Sequence, residues 1–263
     1  MQIRFSKYEG TGNDFIIIDN RTQRWIPEEQ QIATMCDRHF GIGADGLMLL
    51  GKEKGFDFAM SYFNSDGRES SMCGNGGRCI TAFARCLGLI QNQAHFHAID
   101  GEHVAEILAQ RGNEFSIRLK MKDTTLYSDS EDGLFLNTGS PHFVKFVDHL
   151  DSFDVNAAGK AIRYDDSFAP GGTNVDFVEV EDNGLFVRSY ERGVENETLS
   201  CGTGVTASAI AAACISGEKK RKYTVRTRGG TLTVTFEQNG TSFSEIWLEG
   251  DVHFVFSGEI EII

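Results

Sequence analysis

The sequence predicts an α/β protein, α+β in the arrangement of its elements, built as two pseudo-symmetric halves that each fold a mixed, strongly curved sheet around one helix. Three observations lead there. Most of the chain reads as short strands broken by Gly and Asn. Two segments, Gly74 to Leu87 and Gly202 to Ile215, are helical in composition, and each follows a Cys-Gly-X-Gly turn. These two segments also repeat each other. MCGNGGRCITAFARC aligns with SCGTGVTASAIAAAC, so that Cys73 meets Cys201 and Cys86 meets Cys214, both pairs 128 positions apart. An offset near half of a 263-residue chain marks a duplication and not a solenoid of short units.

Taken in order, the strand candidates are DFIIID (14–19), DFAMSYF (57–63), EFSIRLK (114–120), DFVEVE (176–181), LFVRSYE (185–191), TLTVTF (231–236) and VHFVFSGEIEII (252–263). Alternation is clearest in EFSIRLK and TLTVTF, where every second residue is apolar. Asn239-Gly240 predicts a two-residue hairpin after TLTVTFEQ. Outer helices are expected over about 28–38, with Glu residues at the positive end, and about 154–163 behind an Asp154 cap. The second Cys-Gly helix, GTGVTASAIAAACIS, is apolar or small nearly all round, so a curved sheet must wrap it. Upstream, GTGNDF (10–15) has a looser echo in GTNVDF (172–177), and FNSDGRESS precedes the first cysteine where YERGVENETL precedes the second.

Composition narrows the function classes. A formal charge of −13 offers no basic field for nucleic acid or an anionic membrane surface. The Lys219-Lys220-Arg221-Lys222 run follows an apolar helix, where cations suit the negative helix end. No stretch reaches the roughly 20 apolar residues that span a bilayer, and the first residues lack a secretory apolar core. Six scattered cysteines without CxxC read as reduced thiols of a cytoplasmic protein, which makes the sequons at Asn196 and Asn239 chance matches. Cys36, Cys79, Cys86 and Cys214, all inside expected helices, read as small buried hydrophobes. GIGADG and GNGG lack the full spacing of a dinucleotide loop.

Cys73 and Cys201 differ from the other four because each opens a helix. Unpaired N–H groups and the positive dipole end gather there, conditions that can draw a thiol below its free pKa of about 8.5. The neighbouring glycines let the N–H groups of residues 74–75 and 202–203 approach a ligand carboxylate. If the halves face each other, one thiolate can remove an α-proton while the opposite thiol delivers one to the other face of the carbon. Preorganised N–H groups would stabilise the charge that develops. No zinc-like cluster of Cys and His is visible and no lysine adjoins the glycine turns, so neither a metal nor pyridoxal phosphate is expected.

At these residues the chain resembles the diaminopimelate epimerase family, within a wider group that includes proline racemases and phenazine-biosynthesis-type isomerases. The resemblance rests on GTGNDF, GIGADGL (41–47), FNSDG followed by MCGNGGRC (63–79), GSPHFV (139–144), TNVDF (173–177) and ERGVENETLSCGTG (191–204). It implies conversion of LL-2,6-diaminopimelate to the meso form for lysine and peptidoglycan synthesis, without cofactor or metal. It implies two domains with barrel-like sheets, residues 1–121 and 122–251, with the final strand 252–263 returning to the first half. By the same resemblance Cys73 and Cys201 are the acid/base pair, with the active site in the cleft between the halves, and Gly74-Asn75 and Gly202-Thr203 hold the reacting carboxylate. Asn13, Asn64, Asn174, Glu191 and Arg192 then contact the substrate, mainly at its distal end. His142 and Glu191 tune the thiols, and the assembly is a homodimer.

One position departs from the family: Ser140 stands where Asn is usual, a shorter group that a bridging water can supplement. Two alternatives stay open from the residues themselves, a proline- or hydroxyproline-type racemase and a thiol redox switch. Alone, His142 would read as a buried histidine bonded to backbone, and Asn13, Asn64 and Asn174 as turn or strand-end residues.

Overall fold

The computed structural model describes residues 2–22, 25–70, 72–130, 132–217 and 221–261. Lys219 and Lys220 of the basic run and the last two residues of the expected final strand lie outside them. The chain forms two compact units, residues 1–119 with 250–263, and residues 120–249.

The first unit contains β1 (Gln2–Gly10), β2 (Asn13–Asp19), α1 (Glu29–Cys36), β3 (Gly46–Gly51), β4 (Phe58–Asn64), β5 (Glu69–Ser70), α2 (Gly74–Cys86), β6 (Gln93–Ala98), β7 (Gly101–Arg111) and β8 (Glu114–Lys120). The end of the last strand, Ser242–Glu261, completes it. Pairing runs β1–β2–β3–β4–β6–β7–β8, and the last strand pairs with both β8 and β1, so the sheet closes on itself. The β2–β3 and β4–β6 pairs are parallel. The crossovers between them are α1 and α2.

Both faces of β2 are covered, which its unbroken Phe15-Ile16-Ile17-Ile18 run required. Ile16 and Ile18 pack with Ile32 and Met35 of α1 on the outside. Helix α2 fills the inside, buried from Gly74 to Ala84. Cys86 is exposed, contrary to the sequence expectation, because it is the final residue of α2 and lies past the enclosed turns. Cys214, near the end of its own helix, is only half-buried for the same reason, whereas Cys36 and Cys79 are buried as expected.

The second unit repeats this order with β9 (Thr124–Ser130), β10 (Gly133–Asn137), β11 (Pro141–Phe146), α3 (Val155–Arg163), β12 (Asn174–Glu181), β13 (Gly184–Glu191), β14 (Asn196–Thr198), α4 (Gly202–Ser216), β15 (Lys222–Arg226), β16 (Thr231–Asn239) and β17, the strand Ser242–Glu261. Its parallel pairs are β11–β12 and β13–β15, again bracketing an outer helix and a central one. β9 pairs with both β10 and β17. Asp154 caps α3 by accepting from the Ala157 N–H at 3.0 Å. The turn into β17 falls at Gly240-Thr241, one residue later than Asn239-Gly240, because Asn239 still belongs to β16 and Gly240 takes the positive φ of 63°.

Matching the two strand orders corrects the looser echo. β2 corresponds to β11, and β3 to β12, so GTGNDF is the structural counterpart of TGSPHF (138–143), not of GTNVDF. In sequence an offset of 128 sets Phe15 against Phe143, Asn64 against Arg192 and Arg78 against Thr206, while the strand register slips by one residue: Phe15 pairs with Gly46, but Phe143 pairs with Val175.

Helix α4 is buried from Gly202 to Ala213, with only Thr203 partly open. Its Ala-rich surface has no slack for larger groups. Ala211→Leu is therefore expected to lower stability by about 1–3 kcal/mol, read as a lower urea midpoint at unchanged slope. A midpoint equal to that of the parent would contradict the enclosed packing.

Candidate active site

In the first unit, Cys73 precedes α2 with extended backbone (φ −93°, ψ 132°), so its side chain sits at the helix start. Asn13 opens β2 beside it. The Asn13 Nδ2 donates to Asp45 Oδ2 at 2.6 Å, which turns Oδ1 toward Cys73 Sγ at 3.5 Å and Asn75 Nδ2 at 3.4 Å. Asp45 is held in turn: Arg38 bridges Asp45 at 2.7 Å and Asp14 at 2.8 Å, and Lys7 pairs with Asp14 at 2.8 Å. Burial opposes ionisation of Asp14, yet Arg38 and Lys7 bring its carboxyl down to about 2. The GTGNDF and GIGADG motifs thus form one charge network that fixes the Asn13 amide.

The fully buried Asn75 is oriented from its other end. Its Oδ1 accepts from Arg78 Nη2 at 2.9 Å and from Thr11 Oγ1 at 3.2 Å. Asn64 ends β4 across from Gly46 and is exposed, with its backbone closing the turn to Gly67 and Arg68. The structure thus groups Asn13, Cys73 and Asn75 by direct contact, while Asn64 stands apart at the same end of the sheet.

In the second unit, Cys201 precedes α4 in the same way (φ −112°, ψ 111°). A buried polar chain leads to it. Asp176 accepts from Ser189 Oγ at 2.6 Å and meets His142 Nδ1 at 2.7 Å. His142 Nε2 lies 2.8 Å from Thr203 Oγ1, which is 3.4 Å from Cys201 Sγ. Asp176 and His142 are both fully buried, so the histidine bonds side chains and not backbone. The chain is possible because Gly204 has no side chain: a Cβ there would lie 2.2 Å from Asp176 Oδ1.

Glu191, at the end of β13, accepts from the Thr198 hydroxyl and acts on Cys201. Burial raises the Glu191 pKa above the ordinary carboxylate value. Burial likewise pushes the Cys201 thiol well above its ordinary value, and the charges of Glu191 and Asp176 add to the effect. The Thr203 hydroxyl and Gly204 N–H pull the other way without prevailing. For this cysteine the expected lowering by the helix start is therefore outweighed by burial next to two carboxyl groups.

The remaining residues form a second group. Asn174, opening β12 in register with His142, accepts from the Arg192 N–H at 2.8 Å. Its Nδ2 donates to Ser140 Oγ at 2.8 Å and to the Pro141 carbonyl at 2.9 Å. Ser140 thus binds Asn174 directly. Arg192 is exposed, its guanidinium donating to the Gly171 carbonyl at 3.4 Å. Asp176, Asp45 and Arg78 were not singled out from the sequence. Asp176 had a signal, since alternation in TNVDF puts it on the same strand face as Asn174. Among the described residues, no group of three or more His, Cys, Asp or Glu is placed to hold a metal ion, and no helix is long and apolar enough to cross a membrane.

Solved structures share this two-unit fold. A phenazine biosynthesis protein of the PhzF family from Bacillus anthracis superposes with a TM-score of 0.76 over 100% of both chains at 15% identity. A hydroxyproline epimerase from Agrobacterium vitis matches with a TM-score of 0.73, covering 98% of this chain and 92% of its own, also at 15% identity. The fold is thus that of the PhzF- and proline-racemase-like proteins.

Sequence then sets the family. The family model for diaminopimelate epimerase matches residues 5–125 and 134–255. A diaminopimelate epimerase from Flavobacterium psychrophilum is 48% identical over 98% of this chain and 100% of its own. The chain belongs to the diaminopimelate epimerase family and is an isomerase. That sets aside the redox-switch alternative.

A thiol held up by burial and neighbouring anions titrates late. The pH profile of Cys201 alkylation by iodoacetamide, followed by peptide mapping, should have its midpoint above the free value of about 8.5. Glu191→Gln should move it down. A Cys201 midpoint below 8.5 in the parent protein would contradict the described surroundings.

Proposed function

We propose that the protein interconverts LL- and meso-2,6-diaminopimelate without pyridoxal phosphate or metal, with Cys73 and Cys201 as the two acid/base groups. The observation that carries this reading is the recurrence of a thiol at the start of the central helix in both halves, at one constant offset. In the LL-to-meso direction the Cys73 thiolate takes the α-proton, and the Cys201 thiol gives its proton to the opposite face of the carbon. No electrons leave the substrate, and the pair ends with Cys73 protonated by the substrate's α-proton and Cys201 as the thiolate. The late titration of Cys201 suits it to begin as the donor.

The first-turn N–H groups of Gly74-Asn75 and Gly202-Thr203 bind the reacting carboxylate and stabilise the carbanion. Arg192 takes the distal carboxylate through its planar fork. Asn13 and Asn64 serve the substrate's polar ends, and Asn174 contributes by holding the Arg192 backbone. His142 and Glu191 tune the thiols. The product would feed lysine and peptidoglycan synthesis in the cytoplasm. The resemblance to the family supports a homodimer.

Cys73→Ser and Cys201→Ser should each nearly abolish epimerisation, since a hydroxyl does not ionise near pH 7 as a thiol can. A serine variant of either that still turns over well overturns the reading. A substrate panel separates it from the proline-type alternative: LL-diaminopimelate should react, while L-proline and trans-4-hydroxy-L-proline should not. Arg192→Lys should cost roughly 2 kcal/mol or more in kcat/KM on LL-diaminopimelate, because a point charge replaces a bidentate fork. Unchanged kcat/KM would remove Arg192 from the distal site.

A further inference from the structure

The segment that carries Arg192 is an unusual turn. β13 and β14 pair Glu191 with Asn196, and residues 192–195 cross between them, closed by the Glu195 N–H donating to the Glu191 carbonyl at 2.8 Å. Glu195 takes a left-handed backbone (φ 56°), a region that few non-glycine residues occupy. Its own carboxylate holds it there. Oε1 accepts from the Gly193 N–H at 3.0 Å and from Arg163 Nε at 3.3 Å and Nη2 at 3.2 Å, and Oε2 accepts from the Tyr190 hydroxyl at 3.5 Å. Burial opposes ionisation, yet the Gly193 N–H, the Tyr164 hydroxyl and Arg163 bring this carboxyl below its ordinary value.

Arg163 reaches this turn from outside the sheet. It is the last residue of α3, a helix whose Val155 and Ile162 share a core with Tyr190 of β13. Its guanidinium lies where Gly172 has no side chain: a Cβ there would come within 1.6 Å of Arg163 Nη1. Arg163 Nη1 donates to the Gly171 carbonyl at 3.5 Å, and Arg192 Nη1 donates to the same oxygen at 3.4 Å. Two guanidinium groups thus meet at one neutral acceptor. Arg163 has its counter-charge in Glu195, and the two side chains are only 14% and 33% exposed, so water screens the pair weakly. Arg192 pairs with no carboxylate among the described residues. Glu195 is the local carboxylate that could neutralise it, since its Oε1 already binds the N–H of Gly193, next in the chain to Arg192. Arg163 holds that carboxylate instead.

We propose that the Arg163–Glu195 ion pair positions the distal site: it pins the 192–195 turn and keeps Glu195 from neutralising Arg192. The Arg192 guanidinium then stays available to a second carboxylate on the substrate. The proposal rests on the reading of Arg192 as the partner of the distal carboxylate, and adds two positioning residues that act through it. With Glu195 matched to Arg163, one positive charge is left at this corner of the second unit. That charge favours an amino acid whose far end is anionic over one whose far end is neutral.

The test is the split between KM and kcat for LL-diaminopimelate in the full-length parent, Glu195→Gln, Arg163→Met and the double variant, with thermal melts to establish folding. Glu195→Gln loosens the turn and should raise KM severalfold. Arg163→Met loosens it as much and also releases Glu195 to Arg192, so KM should rise by about tenfold or more. The double variant removes the released carboxylate, and its KM should fall back to that of Glu195→Gln. kcat should stay within about twofold of the parent in all three, because the lost interaction serves binding at the far end of the substrate. An ion pair that only stabilises the fold gives no such recovery. A double variant at least as impaired as Arg163→Met, or a folded Arg163→Met protein with the parent KM, overturns the proposal. Should Arg163→Met fail to fold, a parent KM in Glu195→Gln overturns it alone. Arg192→Lys, measured alongside, keeps the two readings apart. If it costs nothing, the distal role of Arg192 is wrong, whereas a loss there with a flat Arg163 series removes only the role of the ion pair.

Discussion

Enclosure of a helix by a sheet that curves around it is the constraint from which the rest of this molecule follows. α2 and α4 are each covered over most of their length, so their side chains must be small or apolar, or satisfied within the helix. The helical hydroxyls follow that rule: Thr81 donates to the Gly77 carbonyl, Thr206 to Gly202 and Ser208 to Gly204. The first turn of each lies beside the strand ends where the site residues collect. Its N–H groups have no helical partners, and a residue placed just before it faces the positive end of the dipole. Each half has a cysteine there.

Duplication fixes the backbone but leaves the charges free to diverge. Around Cys73 the network of Lys7, Asp14, Arg38 and Asp45 locks Asn13, while Arg78 locks Asn75 from the opposite side. Around Cys201 the neighbours are Glu191 and the Asp176–His142–Thr203 chain. Stereochemical inversion at one carbon needs a proton acceptor on one face and a donor on the other. On the proposed reading, the burial and neighbouring carboxyl groups that hold the Cys201 thiol protonated fit it for the donor's part.

Much of the fold was legible in the sequence, for reasons that can be named. The repeat was visible because Cys73 and Cys201 keep one offset, and the outer helices because Asp154 and the Glu residues near 28 mark helix starts. The register of the upstream motifs was not visible. TNVDF resembles GTGNDF in letters, yet strand order pairs the latter with TGSPHF, whose letters have diverged. Arg78 and Asp176 escaped notice because a charged side chain becomes remarkable only once the closed sheet is known to bury it. The direction of the Cys201 shift was not readable for a similar reason: a helix start shows in sequence, but the burial that dominates the shift, and the approach of Asp176 from β12, exist only once the sheet has closed.

The most direct test of two opposed thiols is where solvent hydrogen first appears. LL-diaminopimelate turned over in deuterated water is quenched at low conversion, and both stereoisomers are analysed for deuterium at the α-carbon. If one thiol removes the proton and the other supplies the new hydrogen, early meso product carries solvent deuterium while the remaining LL isomer stays largely unlabelled. Equal labelling of both isomers from the outset would mean a single group serves both faces, and would contradict the two-thiol account.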